Sequence, residues 1–328
     1  MKAIRVHAFG GPEVMKLEEV ALAEPPRGHV RLRLAAAGVN FIDVYRRTGL
    51  YPTSLPITPG LEGAGEVMAL GPGVERLKIG DRVAFCDVPG AYAEEINAPE
   101  ERLIRVPDGM DLSLAAAAML QGMTAHYLAY STYPLKAGDA CLVHAAAGGV
   151  GLLLVQLAKR CGARVFGTVS TDEKAALARG AGADHVILYT RQEFDAEVKK
   201  ATEGRGVNVV YDSVGKSTFD KSLESLAQRG MLVLFGQSSG PIAPFNPAQL
   251  AKGSFYLARP VLFHYVADRE SLERRAGDVL GWVADGSLKL RIGARFPLAE
   301  AEAAHRALEG RATTGKVLLL PSSSASNQ

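Results

Sequence analysis

Cysteine is scarce in this chain. Cys86, Cys141 and Cys161 are the only three, and none of them forms a C-x-x-C pair. An odd count without ligand spacing argues against a disulfide framework and a cysteine-based metal site, and it suits a reducing compartment. Runs of one charge are missing too: 37 Lys and Arg face 35 Asp and Glu, for a formal net charge of +2. Such a balance speaks against a dedicated nucleic-acid or membrane-surface protein. No apolar stretch is long enough to span a bilayer. The best candidate, residues 141–158, is broken by His144, several glycines and Gln156. The opening MKAIRVHAFGG lacks the apolar centre of a signal peptide and reads as a first strand. His7, His29, His126, His185, His264 and His305 are scattered without ligand spacing, and no Ser/His/Asp or Cys/His nucleophile arrangement can be assembled. A cytoplasmic protein with no metal site is expected.

What the chain has in quantity is apolar side chains. Hydrophobic residues make up 48% and charged ones 22%, and 328 residues are long for one core, so two domains are expected. The first third carries short runs between Gly- and Pro-rich turns. HVRLRLAAAGV (29–39), GAGEVMALG (63–71), GDRVAF (80–85) and AYAEEINAP (91–99) read as strands of a small, mostly antiparallel β domain. SLAAAAMLQGMTAHYLAY (113–130) is helical in composition and bridges onward.

From Gly138 strands and helices alternate. CLVHAA, ARVFGTVS, DHVILY, VNVVYDS and MLVLFG read as buried strands; TDEKAALARGAG, QEFDAEVKKATEG and KSTFDKSLESLAQRG read as two-faced helices between them. Repeated βα units imply a doubly wound parallel sheet. After about Phe263 the alternation stops. A helix around 269–285, then FPLAEAEAAHRALEG and a terminal strand GKVLLLP, are expected to rejoin the first domain; the final SSSASNQ reads as disordered.

HAAAGGVG (144–151) falls after the first strand of the alternating region. Gly148 lets a pyrophosphate approach the backbone, and Gly151 lets the following helix pack tightly, with Val150, Leu153, Leu154, Leu157 and Cys161 on one face. Ala146 fills the first slot of G-x-G-x-x-G, and a plain tight turn of a parallel sheet is the competing reading. His144 reads as a hydrogen-bonded core residue. The next strand ends at Ser170, followed by Thr171-Asp172-Glu173-Lys174. A hydroxyl and a lysine accept a ribose 2′-phosphate, where a strand-end carboxylate repels one. First-turn helix charges explain the same residues equally well, so spacing alone leaves the coenzyme open.

GGPEVMKLEEV (10–20), AAGVNFIDVYRRTGLYP (36–52), PGLEGAGEV (59–67), VVYDSVG (209–215), LFGQSSG (234–240), ARPVL (258–262) and RATTGKVLL (311–319), in this order and together with HAAAGGVG, carry a resemblance. The chain resembles the medium-chain dehydrogenase/reductase superfamily over nearly its whole length, and within it the zinc-free NADPH quinone oxidoreductases related to ζ-crystallin. The resemblance implies an α/β fold: a Rossmann-type doubly wound parallel sheet at 125–264, and a discontinuous GroES-like domain at 1–124 and 265–328.

It also implies a site in the cleft between the domains. Asn40, Ile42, Tyr45, Thr124 and Tyr127 would lie near the nicotinamide half of NADPH. Gly148, Gly149 and Val150 would hold its pyrophosphate. Ser170, Lys174 and Tyr189 would surround the 2′-phosphate, which tips the coenzyme to NADPH. Val214, Gly236, Gln237, Ser238 and Arg311 would line the rest. Tyr51 would face the substrate and, with Asn40, stabilise a developing oxyanion. Zinc alcohol dehydrogenases of the superfamily carry a cysteine and a histidine where this chain has Asn40 and Leu61, and Glu62 alone reads as a structural carboxylate. Without a Lewis acid, an electrophilic quinone is the expected acceptor. Reduction of the double bond of α,β-unsaturated aldehydes or ketones is the alternative, and an NADPH- or RNA-binding protein with little catalysis is the reading from another class. The family also implies a homodimer, with GMLVLFG continuing the sheet across two copies.

Overall fold

The computed structural model describes residues 1–321; the tail SSSASNQ, read above as disordered, lies outside the described residues. The chain forms two compact units, Met1–Leu120 with Val266 onward, and Gln121–Tyr265.

The first unit is a seven-stranded sheet in the order Ile292–Pro297, Lys316–Leu320, His29–Val39, Glu62–Leu70, Arg82–Cys86, Leu103–Arg105, with Glu95–Pro99 also paired to His29–Val39. Its pairings are antiparallel except that of Ile292–Pro297 with Lys316–Leu320. The terminal strand thus lies in the same sheet as His29–Val39, beside it. Alternation along His29–Val39 sends Val30, Leu32 and Leu34 into a core shared with Phe85, Leu103 and Leu319. A short helix, Phe41–Arg47, leaves the end of that strand, and Asn40 is its N-cap residue. AYAEEINAP yields a strand only at Glu95–Pro99, because Ala91, Tyr92 and Ala93 are buried outside the ladder.

The second unit is a six-stranded sheet, parallel throughout: His185–Leu188, Arg164–Val169, Ala140–Val143, Val207–Asp212, Leu226–Leu234, Tyr256–Ala258. Its core joins Leu142, Phe166, Val198, Val210, Leu223 and Leu232.

Three further expectations need correction. The helix Gly149–Arg160 has no single apolar face: Leu152, Val155 and Ala158 are buried as well, while Val150 and Cys161 are only half-buried. A helix that is apolar nearly all round belongs to an interior, where one-sided periodicity is a poor guide. The helix expected over KSTFDKSLESLAQRG is only Phe219–Glu224, since Leu226 already pairs with Val207 in the sheet. Finally, GMLVLFG is not at the sheet edge. Leu226–Leu234 pairs on its far side with Tyr256–Ala258, a strand of three residues that is too short to leave a pattern in the sequence. Among the described residues no helix is long and apolar enough to cross a membrane.

Candidate functional site

Counted by chain position, the parallel sheet runs 3-2-1-4-5-6, so the order reverses between Ala140–Val143 and Val207–Asp212. Loops leaving the carboxyl ends of those two strands border the place where such sheets take nucleotides.

The first of these loops is the glycine turn. Ala145 adopts a φ of 51°, and Gly148 N donates to Ala145 O at 2.8 Å, closing the turn onto the helix Gly149–Arg160. Gly148 has no side chain to cap the helix, whose first-turn N–H groups have no intrahelical acceptor. The glycines are there for close approach. A Cβ on Gly151 would stand 2.3 Å from Ala145 O, and one on Gly149 would stand 1.9 Å from Gln121 Oε1. The odd alanine has its own explanation. Ala146 Cβ lies 2.8 Å from where Gly167 would carry a Cβ, so the missing side chain in the neighbouring strand makes room for it.

The second loop is organised by Asp212, a fully buried carboxylate. It accepts from Val214 N at 2.8 Å, Gly215 N at 3.0 Å, Thr218 Oγ1 at 2.7 Å and Ser222 Oγ at 3.1 Å. The segment 236–240 is laid along this loop: Ser238 N donates to Ser213 O at 3.1 Å and Ser239 N to Val214 O at 2.9 Å. A Cβ on Gly236 would stand 2.6 Å from Ser213 O. Val214, Gly236, Gln237 and Ser238 are thus brought together. His144 ties the turn to this loop. Ser222 spends its proton on Asp212, so its oxygen accepts from His144 Nε2 at 3.0 Å, and Nδ1 accepts from Thr168 Oγ1 at 2.9 Å. Burial lowers the His144 pKa and keeps the ring neutral. His144 is the hydrogen-bonded core residue expected from its position.

At the end of Arg164–Val169, Thr171 caps the helix Asp172–Gly180, its Oγ1 accepting from Lys174 N at 3.3 Å. Thr190 Oγ1 donates to Ser170 O at 3.1 Å and Tyr189 N to Val169 O at 3.2 Å, so the loops bearing Ser170, Lys174 and Tyr189 are neighbours. Asp172 is engaged by Arg191 at 2.9 Å. Thr124 and Tyr127, on the helix Leu112–Tyr127, are both buried; the Tyr127 ring stacks on Tyr265 at 4.2 Å, and burial raises its phenol pKa.

In the first unit, the helix Phe41–Arg47 brings Asn40, Ile42 and Tyr45 together, and Tyr51 N donates to Tyr45 O at 3.0 Å with the two rings 5.1 Å apart. Arg311 lies on another element, just beyond the helix Ala301–Glu309, with a φ of 57°. Asn40 N donates to Asp43 Oδ2 at 2.9 Å, and its side chain meets two buried charges, Lys316 and Glu62. Behind Asp43 runs a directed chain of bonds. Arg47 can only donate, so His305 Nδ1 accepts from it at 2.8 Å, Nε2–H donates to Tyr92 Oη at 3.0 Å, and Tyr92 donates to Asp43 Oδ2 at 3.1 Å. Desolvation pushes Asp43 up to about 6 and, with Arg47 beside it, pulls His305 down to about 3.

These residues do not fit a zinc ion. Asn40 and buried Leu61 offer neither thiolate nor imidazole, and the Glu62 carboxylate is held by the Lys316 ammonium. Among the described residues no three His, Cys, Asp or Glu could together hold a metal. Sequence reasoning passed over Lys316, Asp43, Tyr92 and Asp212. Only Asp212 had a local signal, an acid at a strand end two residues before a Val-Gly step.

Comparison with known proteins agrees with this layout. The Alcohol dehydrogenase GroES-like domain family matches residues 26–108, and the family described as Zinc-binding dehydrogenase matches residues 149–269. A quinone oxidoreductase of Pseudomonas aeruginosa is 48% identical over 98% of this chain and 99% of its own length. A 2-haloacrylate reductase of a Burkholderia species is 44% identical over 96% of this chain and 98% of its own. A solved structure of Escherichia coli quinone oxidoreductase complexed with NADPH superposes with a TM-score of 0.96 at 41% identity, covering 98% of this chain and 100% of that one.

Proposed function

The chain belongs to the medium-chain dehydrogenase/reductase superfamily, in its quinone oxidoreductase branch, and from that premise we propose that it reduces a quinone-type acceptor with NADPH, using neither metal nor flavin. The observation that carries this reading is the glycine turn at the reversal of strand order, where the backbone around Gly151 leaves no room for a Cβ. The quinone oxidoreductases among its relatives and the NADPH complex of the Escherichia coli protein support it.

NADPH, when bound, supplies a hydride from nicotinamide C4. This chain's residues bind and orient. Gly149 and Val150 receive the pyrophosphate on backbone N–H groups, Gly148, whose own N–H closes the turn on Ala145 O, lets it approach the backbone, and Val214, Gly236, Gln237, Ser238 and Arg311 line the remainder. Ser170, Lys174 and Tyr189 take the 2′-phosphate, and Arg191 keeps the Asp172 carboxylate occupied beside them. Asn40, Ile42, Tyr45, Thr124 and Tyr127 receive the nicotinamide half. Tyr51 Oη and Asn40 Nδ2 donate to the acceptor oxygen as charge grows on it. A quinone needs no stronger electrophilic aid, and one proton from solvent completes the quinol.

The second reading is reduction of a carbonyl-conjugated double bond, favoured by the 2-haloacrylate reductase relative. In solution we expect a cytoplasmic homodimer. Its contact is the sheet edge Tyr256–Ala258, where Tyr256 is 55% exposed, and a second copy would cover those unpaired backbone groups. The test is NADPH oxidation by purified protein with a panel of quinones, before and after prolonged chelation. Turnover that survives chelation supports the proposal; turnover that vanishes and returns with zinc refutes it, and binding of NADPH without any turnover leaves a binding protein instead.

A further inference from the structure

Lys316 and Glu62 form a hydrogen-bonded ion pair with side chains 1% and 0% exposed. A pair so fully desolvated is weak evidence for stability, because well-packed apolar residues often serve as well or better. Asn40 closes the triangle. Lys316 Nζ donates to Asn40 Oδ1 at 2.9 Å, and Asn40 Nδ2 donates to Glu62 Oε2 at 2.8 Å. An ammonium has only protons to give and a carboxylate only lone pairs. The carboxamide therefore has one allowed orientation, with oxygen toward Lys316 and nitrogen toward Glu62; a flip sets donor against donor and acceptor against acceptor.

Each corner is fixed from outside as well. Leu120 N donates to Glu62 Oε1 at 2.6 Å, and Asn40 N donates to Asp43 Oδ2 at 2.9 Å. Gly38 makes room in the strand, since a Cβ there would stand 2.1 Å from Glu62 Oε2 and 2.6 Å from Lys316 Nζ.

We propose that Lys316 and Glu62 are positioning residues for hydride transfer, locking the Asn40 carboxamide so that an Nδ2–H is presented to the oxygen of the quinone. This rests on the role given to Asn40 above. Nδ2 also approaches the Gly38 carbonyl at 3.4 Å, a long contact that a charged oxygen displaces readily. The Lys316 proton on Oδ1 polarises the amide and strengthens the same N–H as a donor.

The test is the double variant Lys316→Met/Glu62→Gln, with Asn40→Ala run beside it. The double variant keeps packing and net charge, and the carboxamide introduced at position 62 can still accept from Leu120 N. Its amide nitrogen, however, faces Asn40 and turns that residue's carboxamide over. The expected result is a melting temperature and NADPH affinity near wild type, quinone KM little changed, and kcat lower by about 10–100-fold. Wild-type kcat in the double variant, with Asn40→Ala impaired, overturns the positioning role alone. Unchanged kcat in Asn40→Ala removes the role of Asn40 itself, and with it this inference. If the double variant does not fold, the isotope-labelled Asn40 side-chain amide of the wild type decides: slow proton exchange supports the lock, and exchange at the rate of a free amide overturns it.

Discussion

Lys316 Nζ donates to Asn40 Oδ1 across 2.9 Å, although 276 residues separate the two in the chain. The antiparallel register explains how: Val317 lies opposite Val39 and Leu318 opposite Gly38, so the next step brings Lys316 to Asn40. The terminal strand thereby anchors the start of the helix that carries Ile42 and Tyr45. Lys316→Met alone should strand the Glu62 carboxylate in the interior and cost about 3–5 kcal/mol of stability. Lys316→Met/Glu62→Gln should recover most of that. Urea midpoints of the single and double variants measure it, and equal losses in both would show that the pair's charges are not coupled.

On the proposed reading, Lys174 carries the coenzyme preference. Lys174→Ala should remove a charge-assisted contact of roughly 1.5–3 kcal/mol, which is about 10–100-fold in NADPH affinity. NADH binding should hardly move. Titration of both coenzymes by fluorescence decides, and equal losses for the two would place the 2′-phosphate elsewhere.

Gly151 has no freedom to change. A methyl group there would collide with Ala145 O at 2.3 Å, so Gly151→Ala must push the turn open, at a cost of about 1–3 kcal/mol in folding stability. NADPH affinity should fall with it. Thermal unfolding with and without NADPH shows both effects, and an unchanged affinity would mean that this turn does not hold the pyrophosphate.

Much of this arrangement was legible in the sequence, because local chemistry writes it there. HVRLRLAAAGV alternates and became the strand His29–Val39, residue for residue. The turn HAAAGGVG and the βα alternation after it gave the parallel sheet, since each strand and each glycine has its reason nearby. Lys316 gave no such sign: a lone lysine before an apolar strand acquires meaning only when the register sets it against Asn40 and Glu62. Asp43, Tyr92 and His305 were hidden for the same reason, being joined from three distant segments. The edge strand Tyr256–Ala258 was missed because its three residues are too few to show a period.

Two groups in that hidden chain pull the pH dependence of stability in opposite directions. Asp43 is raised from 3.8 to about 6, so it contributes stability below its unfolded pKa and loses it as pH rises through about 6. His305 is lowered from 6.5 to about 3, so the stability it contributes is present above 6.5 and is lost as pH falls toward 3. Asp43→Asn should therefore steepen the loss of stability on acidification, and His305→Gln should flatten it, each by up to about 1.4 kcal/mol per pH unit where that group titrates. Urea unfolding at a series of mildly acidic pH values checks the signs; a flattened profile for Asp43→Asn would contradict them.

The most direct measurement is a paired one: kcat/KM with NADPH for a quinone and for an enal, in wild type and in Tyr51→Phe. Hydride transfer to a quinone does not wait on one tuned acid, so losing the Tyr51 hydroxyl should cost about one hydrogen bond, ~1 kcal/mol, with NADPH affinity preserved. Quinones should outrun enals in the wild type, and Tyr51→Phe should keep most of the quinone activity. Enals faster than every quinone, with that activity abolished in Tyr51→Phe, would contradict this and make the protein a double-bond reductase.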